Sequence, residues 1–215
     1  MTNSDVDAET PSAARPGKRE RLVAAACDLV YRQGVARTTL ADIAQAADVP
    51  LGNVYYYFKT KDEIVGAILR THADDLEAGL AMLERRHRSP RARLKALIGV
   101  LAGRRDLIAR YGCPYGTLCS ELTKRRDGSD PAAARLMQVP LTWAERQFRA
   151  LGRRDADDLA IELVGSYQGS ALLSSALGQP ELMARQARRL ERWIAALPGE
   201  RSTPPLAETG KESRS

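Results

Sequence analysis

The stretch Leu51–Lys61, LGNVYYYFKTK, gathers the side chains of this protein best suited to meeting a polyanion. Successive residues of a helix point in different directions, so Tyr55, Tyr56 and Tyr57 cannot all be buried on one face. At least one phenol must face solvent, where its hydroxyl can donate to a phosphate oxygen or a base edge. Gly52 and Asn53 are poor helix formers, which suits a first turn that approaches another molecule closely. Lys59 and Lys61 follow at positions fit for backbone phosphates. A polar surface helix with aromatic packing is the alternative reading of the same residues.

Other reactive groups are sparse. The two histidines, His72 and His87, have no Cys, His or carboxylate neighbours at metal-ligand spacing. No phosphate-cradling glycine loop and no nucleophile–base–acid set is recognisable. The expectation is therefore no enzyme, no metal and no cofactor. The three cysteines are odd in number and include no close pair, which argues against a disulfide framework and fits a reducing cytoplasm. Cys113 is distinctive because Pro114 suits the first position of a helix. A thiol at that cap would feel the positive end of the helix dipole, with Arg110 nearby. A passive small residue is the other reading of Cys113.

The elements that must hold the tyrosines run from Thr38 to Glu63. Thr39 with Asp42 makes a capping-box start, and Leu40, Ile43, Ala44 and Ala47 recur at helical spacing. Pro50 biases Val49 away from helical backbone, so a second short helix starts at Pro50 or Leu51. Thr60 with Glu63 repeats the capping pattern and opens another helix. Two short helices joined by a tight turn are a helix-turn-helix, whose second member enters the DNA major groove. Ahead of them Leu22, Ala26, Leu29 and Val30 stripe a helix over Lys18–Gln33, closed by Gly34. Lys18, Arg19 and Arg21 are either a basic arm or a solvated start to that helix.

The run LGNVYYYFKTKDEI, after TTLADIAQAADV and a preceding amphipathic helix, resembles the N-terminal domain of the TetR/AcrR family of bacterial transcriptional regulators over Lys18–Ile64. It departs from the family pattern at Pro50, where Ser or Thr is common, and at Leu51, where a basic or polar residue is common. The resemblance implies a ligand-responsive repressor: a homodimer bound to double-stranded DNA at a palindromic operator and released by a small-molecule effector. Thr38, Thr39, Tyr56, Lys59 and Lys61 would anchor phosphates, while Gly52, Asn53 and Tyr55 to Tyr57 would present the groove-facing surface. An architectural DNA-binding protein without an effector is the alternative, and it leaves the long C-terminal region idle.

Whole-chain properties agree. At 215 residues the chain can bury one large core or two smaller ones, and its net charge of +6 favours a polyanionic partner. No run reaches the ~18 apolar residues of a membrane span, and the N-terminus has no apolar core after a basic segment, so secretion is not expected. A cytoplasmic protein without membrane contact is expected. Residues 1–17 and 198–215 have the composition of disordered tails. Between them stand a DNA-binding domain, residues 18–62, and a helical effector-binding and dimerisation domain, residues 63–197.

In that second domain helices are expected over Asp62–Arg86, behind Ser89-Pro90, around Leu107 to Tyr111, from Pro114 past Leu122, and from Pro131 to Leu151 with a kink at Pro140. Two more run from an Asp155–Asp158 cap to Gly178 and from Pro180 to Leu197. With no period-2 strand the fold is all-α. Gly165, Gly169, Ser166 and Ser170 stand at spacings that let another helix approach closely, among Leu163, Tyr167 and Leu173. Leu190 and Ile194 belong to the last stripe. These residues face either the chain's own core or, as the resemblance implies, a symmetry mate in a four-helix dimer interface. Tyr111, Cys113, Tyr115, Met137, Trp143, Phe148 and Tyr167 are candidate effector-pocket residues, although helical spacing does not separate pocket from core. The resemblance also matches Gly112-Cys113 and Gly116 to Leu122 with a group of these regulators in which some use a cysteine to sense oxidants or electrophiles.

Overall fold

The computed structural model describes residues 16–125 and 130–198. The expected tails, apart from Pro16, Gly17 and Pro198, lie outside the described residues. Every regular element among the described residues is a helix. In order these are α1 (Lys18–Arg37), α2 (Leu40–Ala46), α3 (Leu51–Tyr57), α4 (Lys61–Arg86), α5 (Pro90–Ala102), α6 (Arg105–Tyr111), α7 (Pro114–Arg125), α8 (Pro131–Ala150), α9 (Ala156–Leu177) and α10 (Glu181–Ala196). None is long and apolar enough to cross a membrane. The chain forms two compact units that divide between Ile68 and Leu69, inside α4 and not at its start. The first turns of α4 belong to the N-terminal unit because Ile64, Val65 and Ile68 are buried there.

In the N-terminal unit the core is built from Leu22, Ala26 and Val30 of α1, Ile43 and Ala44 of α2, and Val54 of α3, with Phe58 behind it. Gly34 leaves helical backbone at φ 83° and breaks the last turn from the rest of α1. At α2 the Thr39 hydroxyl accepts the Asp42 N–H at 3.1 Å while the Asp42 carboxylate accepts the Thr39 N–H at 2.9 Å. This reciprocal cap satisfies two otherwise orphaned donors. Asp48 takes the left-handed turn between α2 and α3 at φ 51°, a conformation that Asp tolerates better than most residues. Pro50 stands at the α3 N-cap and offers no side-chain hydrogen bond.

In the C-terminal unit one core joins α4, α5, α8, α9 and α10 through Leu83, Leu94, Trp143, Phe148, Leu159 and Ile194. Arg91 of α5 closes the far end of α10 by donating to the carbonyls of Ile194, Ala195 and Leu197, acceptors that a helix end otherwise leaves unsatisfied. Helix α8 continues through Pro140 as one element. The expected Asp155 cap does not form. Its carboxylate is taken by the Arg153 guanidinium at 2.6 and 2.8 Å, a hydrogen bond that lowers its pKa.

Two expectations about faces are corrected here. Leu163, Leu190 and Ile194 lie inside this core and are not on an outer surface. Phe148 is also fully buried, its ring 5.8 Å from that of Trp193, so it packs the core of this unit. The outer side of α9 carries Ile161, Leu172, Leu173 and Leu177, all exposed. Between them Gly165 and Gly169 have open space where a Cβ would stand.

Candidate nucleic-acid interface

Helix α3 has one buried side and one bare side. Val54 is fully buried and Phe58 nearly so, fixing the helix against the N-terminal core. Tyr55 is 47% and Tyr56 76% exposed, and Leu51 and Gly52 are exposed beside them. Tyr57 is half-buried and stands edge-on to Tyr56, with ring centroids 5.0 Å apart. Asn53 is half-buried, with its N–H bonded to the Pro50 carbonyl at 2.8 Å. The exposed side thus offers two phenolic hydroxyls and an apolar patch, with no side chain at Gly52 to hold a partner away.

The surrounding cations take defined places. Lys59 Nζ donates to the Tyr55 carbonyl at 2.7 Å and so caps the C-terminal end of α3, the end where a cation is favoured. Lys61 Nζ donates to the Ala36 carbonyl at 3.2 Å and ties the start of α4 to the end of α1. The Thr60 hydroxyl accepts the Glu63 N–H at 3.2 Å, but the Glu63 carboxylate returns to the Lys59 N–H at 2.8 Å and not to Thr60. Arg21 is no free arm. Its guanidinium donates to the Ala47 and Asp48 carbonyls at 3.1 and 3.3 Å, bracing the turn that sets α3 against α2. Arg19 lies over the Phe58 ring at 5.4 Å.

Thr39 is exposed at the start of α2, beside Asp42. Its hydroxyl and amide hydrogen bonds hold the Asp42 carboxyl below the usual carboxylate range. Thr38, expected at the phosphates, is instead 1% exposed. Its hydroxyl donates to the Gly34 carbonyl at 2.8 Å and secures the turn after α1, which leaves it no reach to a partner.

The pocket candidates of the C-terminal unit separate into groups. Cys113, Tyr115 and Tyr167 come together in a small cluster with Ile108, Ala171 and Met183. The Cys113 thiol caps α7: its sulfur accepts the Gly116 N–H at 3.4 Å and the Tyr167 hydroxyl at 3.6 Å. Gly112 is needed for this: its φ is +81°, and a Cβ there would stand 2.6 Å from the Thr117 methyl, whereas a Cβ on Gly116 would displace only the flexible end of the Gln168 side chain. Cys113 borders a cleft of about 590 Å³ between α7 and α9. The Cys119 thiol, one turn and a half further on, has its pKa pushed up to about 11 by burial and by its neighbours Cys113 and Asp130. Tyr115 meets His72 edge-on at 5.3 Å, and burial pushes the His72 imidazole down. Met137 sulfur accepts from Gln168 at 3.5 Å, and Tyr111 lies under the Arg110 guanidinium at 5.1 Å.

Trp143 borders a different cleft, about 430 Å³, between α4 and α8. Glu77, Glu84, Arg135 and Arg146 line it, and sequence reasoning passed over all four. Their signal was available as the i, i+7 carboxylates of α4 and the arginines of α8, but only the fold places those two faces together.

A three-helix head whose third helix is aromatic and exposed is the helix-turn-helix class of DNA-binding protein. Residues 22–68 match the family described as bacterial regulatory proteins, tetR family. An uncharacterised HTH-type transcriptional regulator from the lacX 3' region of Lactococcus lactis subsp. lactis is 30% identical over 160 residues, 72% of this chain and 82% of that relative. The HTH-type transcriptional regulator TtgR of Pseudomonas putida is 49% identical over 51 residues, 24% of each chain. Among solved structures, a TetR transcriptional regulator from Legionella pneumophila superposes with a TM-score of 0.76 at 17% identity, covering 84% of this chain and 99% of that one. This chain belongs to the TetR family of bacterial transcriptional regulators, and it is not an enzyme.

Proposed function

We propose that two copies of this chain bind a palindromic operator through α3, and that a small molecule taken up by the C-terminal unit weakens that binding and relieves repression. The observation that carries the reading is the exposed side of α3. Leu51, Gly52, Tyr55 and Tyr56 face outward together while Val54 and Phe58 hold the helix rigidly from behind. Gly52, Asn53 and Tyr55 to Tyr57 meet the groove, and Thr39, Tyr56, Lys59 and Lys61 meet phosphates. Homodimerisation is supported by the outer side of α9, where Ile161, Leu172, Leu173 and Leu177 surround the open Gly165 and Gly169, with Ser166 and Ser170 half-buried alongside. A two-fold pair presents its heads to half-sites about 34–36 Å apart or a multiple of that.

Effector response requires unequal binding to the two states, with a coupling of ~1–3 kcal/mol. Cys113 is one point of entry for an electrophile or oxidant, because its sulfur already accepts two hydrogen bonds at the start of α7 and borders the α7–α9 cleft.

Selection of bound duplexes from a random pool, followed by band shifts across salt, tests the reading. The expected result is an enriched palindrome bound about 10³-fold or more tightly than random duplex. Equal affinity for both, lost in parallel as salt rises, would instead describe a sequence-independent phosphate binder.

A further inference from the structure

The cleft between α4 and α8 lies apart from Cys113 and from most of the pocket candidates, and its lining has a definite chemistry. Its volume of about 430 Å³ falls within the ~300–1,000 Å³ typical of small-molecule sites. Leu80 and Ala81 of α4 and Val139 and Trp143 of α8 supply apolar surface. Around them α4 contributes two carboxylates and α8 contributes donors. Gln138, Thr142 and Arg146 stand four apart on one side of α8, as neighbours along a helix face do.

The charges are not evenly matched. Arg135 and Glu77 form a close pair at 2.7 Å. Arg146 and Glu84 stand 3.9 Å apart, too far for a hydrogen bond. Glu84 has a second source of compensation. It accepts from the Gln147 amide at 3.2 Å, and the Gln147 oxygen in turn accepts from Arg93 at 3.3 Å. Arg146 can therefore turn to another anion without leaving Glu84 bare. Thr142, Gln138 and most of the Arg146 fork add donors that the fold does not use for Glu84. The Trp143 indole N–H is likewise buried without a partner. Arg146 and the Trp143 N–H are thus donors without a hydrogen-bonded acceptor in the cleft, which suits an acceptor-bearing ligand.

We propose that this cleft is an effector site for an amphiphilic carboxylate, its apolar body on Leu80, Ala81, Val139 and Trp143 and its carboxylate on Arg146 with Thr142 and Gln138. Planar guanidinium–carboxylate pairing gives the orientation. The site stands on its own geometry; its regulatory consequence rests on the proposed function above. Helix α4 is continuous from Lys61 to Arg86, so a ligand seated against Leu80 and Ala81 bears on the same helix whose first turns belong to the N-terminal unit.

Calorimetry on the full chain with decanoate, decan-1-ol and decylammonium, three probes with one apolar body and different heads, tests this. Decanoate is expected to bind about tenfold or more tightly than either of the others. Arg146→Gln, an exposed position, should weaken decanoate by about tenfold or more, and Ala81→Phe should abolish binding by filling the cleft. Decylammonium binding as tightly as decanoate, decanoate affinity untouched by Arg146→Gln, or no decanoate binding at millimolar concentration would each overturn the proposal. A band shift with decanoate present is read separately. Binding with the expected variant pattern but unchanged DNA affinity upholds the site and counts against effector control of DNA binding.

Discussion

Tyr56 is the most exposed of the large side chains on α3 and stacks edge-on with Tyr57, so its removal tests contact with DNA with small structural cost. Tyr56→Ala should weaken operator binding by about tenfold, or ~1.4 kcal/mol, at unchanged melting temperature; wild-type affinity would remove Tyr56 from the contact surface. Lys59→Ala should weaken all duplexes alike and lower the salt slope by about one, read from binding isotherms at several salt concentrations. His72 gives a test of the C-terminal unit. Burial lowers its pKa first of all, Asp75 opposes and Arg104 reinforces. The unfolded chain therefore takes up the proton first as pH falls through about 6.5. Stability is full above that value and is lost below it, toward the folded pKa. His72→Gln should flatten melting temperature between about pH 7 and pH 5, and an unchanged slope would contradict the assignment. What was legible at this scale was local: Gly52, Asn53, Tyr55 and Tyr56 announce themselves by type. Thr38 did not, because its burial depends on the Gly34 carbonyl presented by a broken turn of α1.

Helices α9 and α10 show what periodicity leaves undecided. Their ends were readable from Asp155, Gly178 and Pro180, as were the Ser89-Pro90 and Asp130-Pro131 starts, where side chains do accept the first amides. Which stripe turns inward was not readable, since α9 is apolar on both sides. Contact with α8 and α10 decides it, sending Leu163 into the core and leaving Leu172 and Leu173 outside. The two stripes should answer differently to mutation. Leu172→Arg should produce folded monomers in sedimentation experiments, while Leu163→Ala should cost about 2–5 kcal/mol of stability. A dimeric Leu172→Arg variant would remove that side of α9 from the interface. The Cys113 cap makes a further prediction. Although Cys113 is the more buried of the two, it borders the α7–α9 cleft and Cys119 is held protonated, so at pH 8 iodoacetamide should label Cys113 before Cys119; the reverse order by mass spectrometry would leave Cys113 as packing only.

The molecule as a whole joins two units through one helix, and the proposed function depends on both acting in pairs. The all-helical class and the reading head followed from short-range signals: caps, a proline turn and a tyrosine run. The clefts did not, because Glu77 and Arg135, or Cys113 and Tyr167, are brought together only by the packing of helices distant in sequence. The central claim is that two copies present α3 to one stretch of duplex DNA. Its most direct test is stoichiometric titration of a selected operator with the purified chain, followed by fluorescence anisotropy and analytical ultracentrifugation of the complex. Two protomers, or two pairs, should saturate each palindrome, and Tyr56→Ala should lower affinity without changing that ratio. One protomer per site, or saturation set only by duplex length, would contradict it.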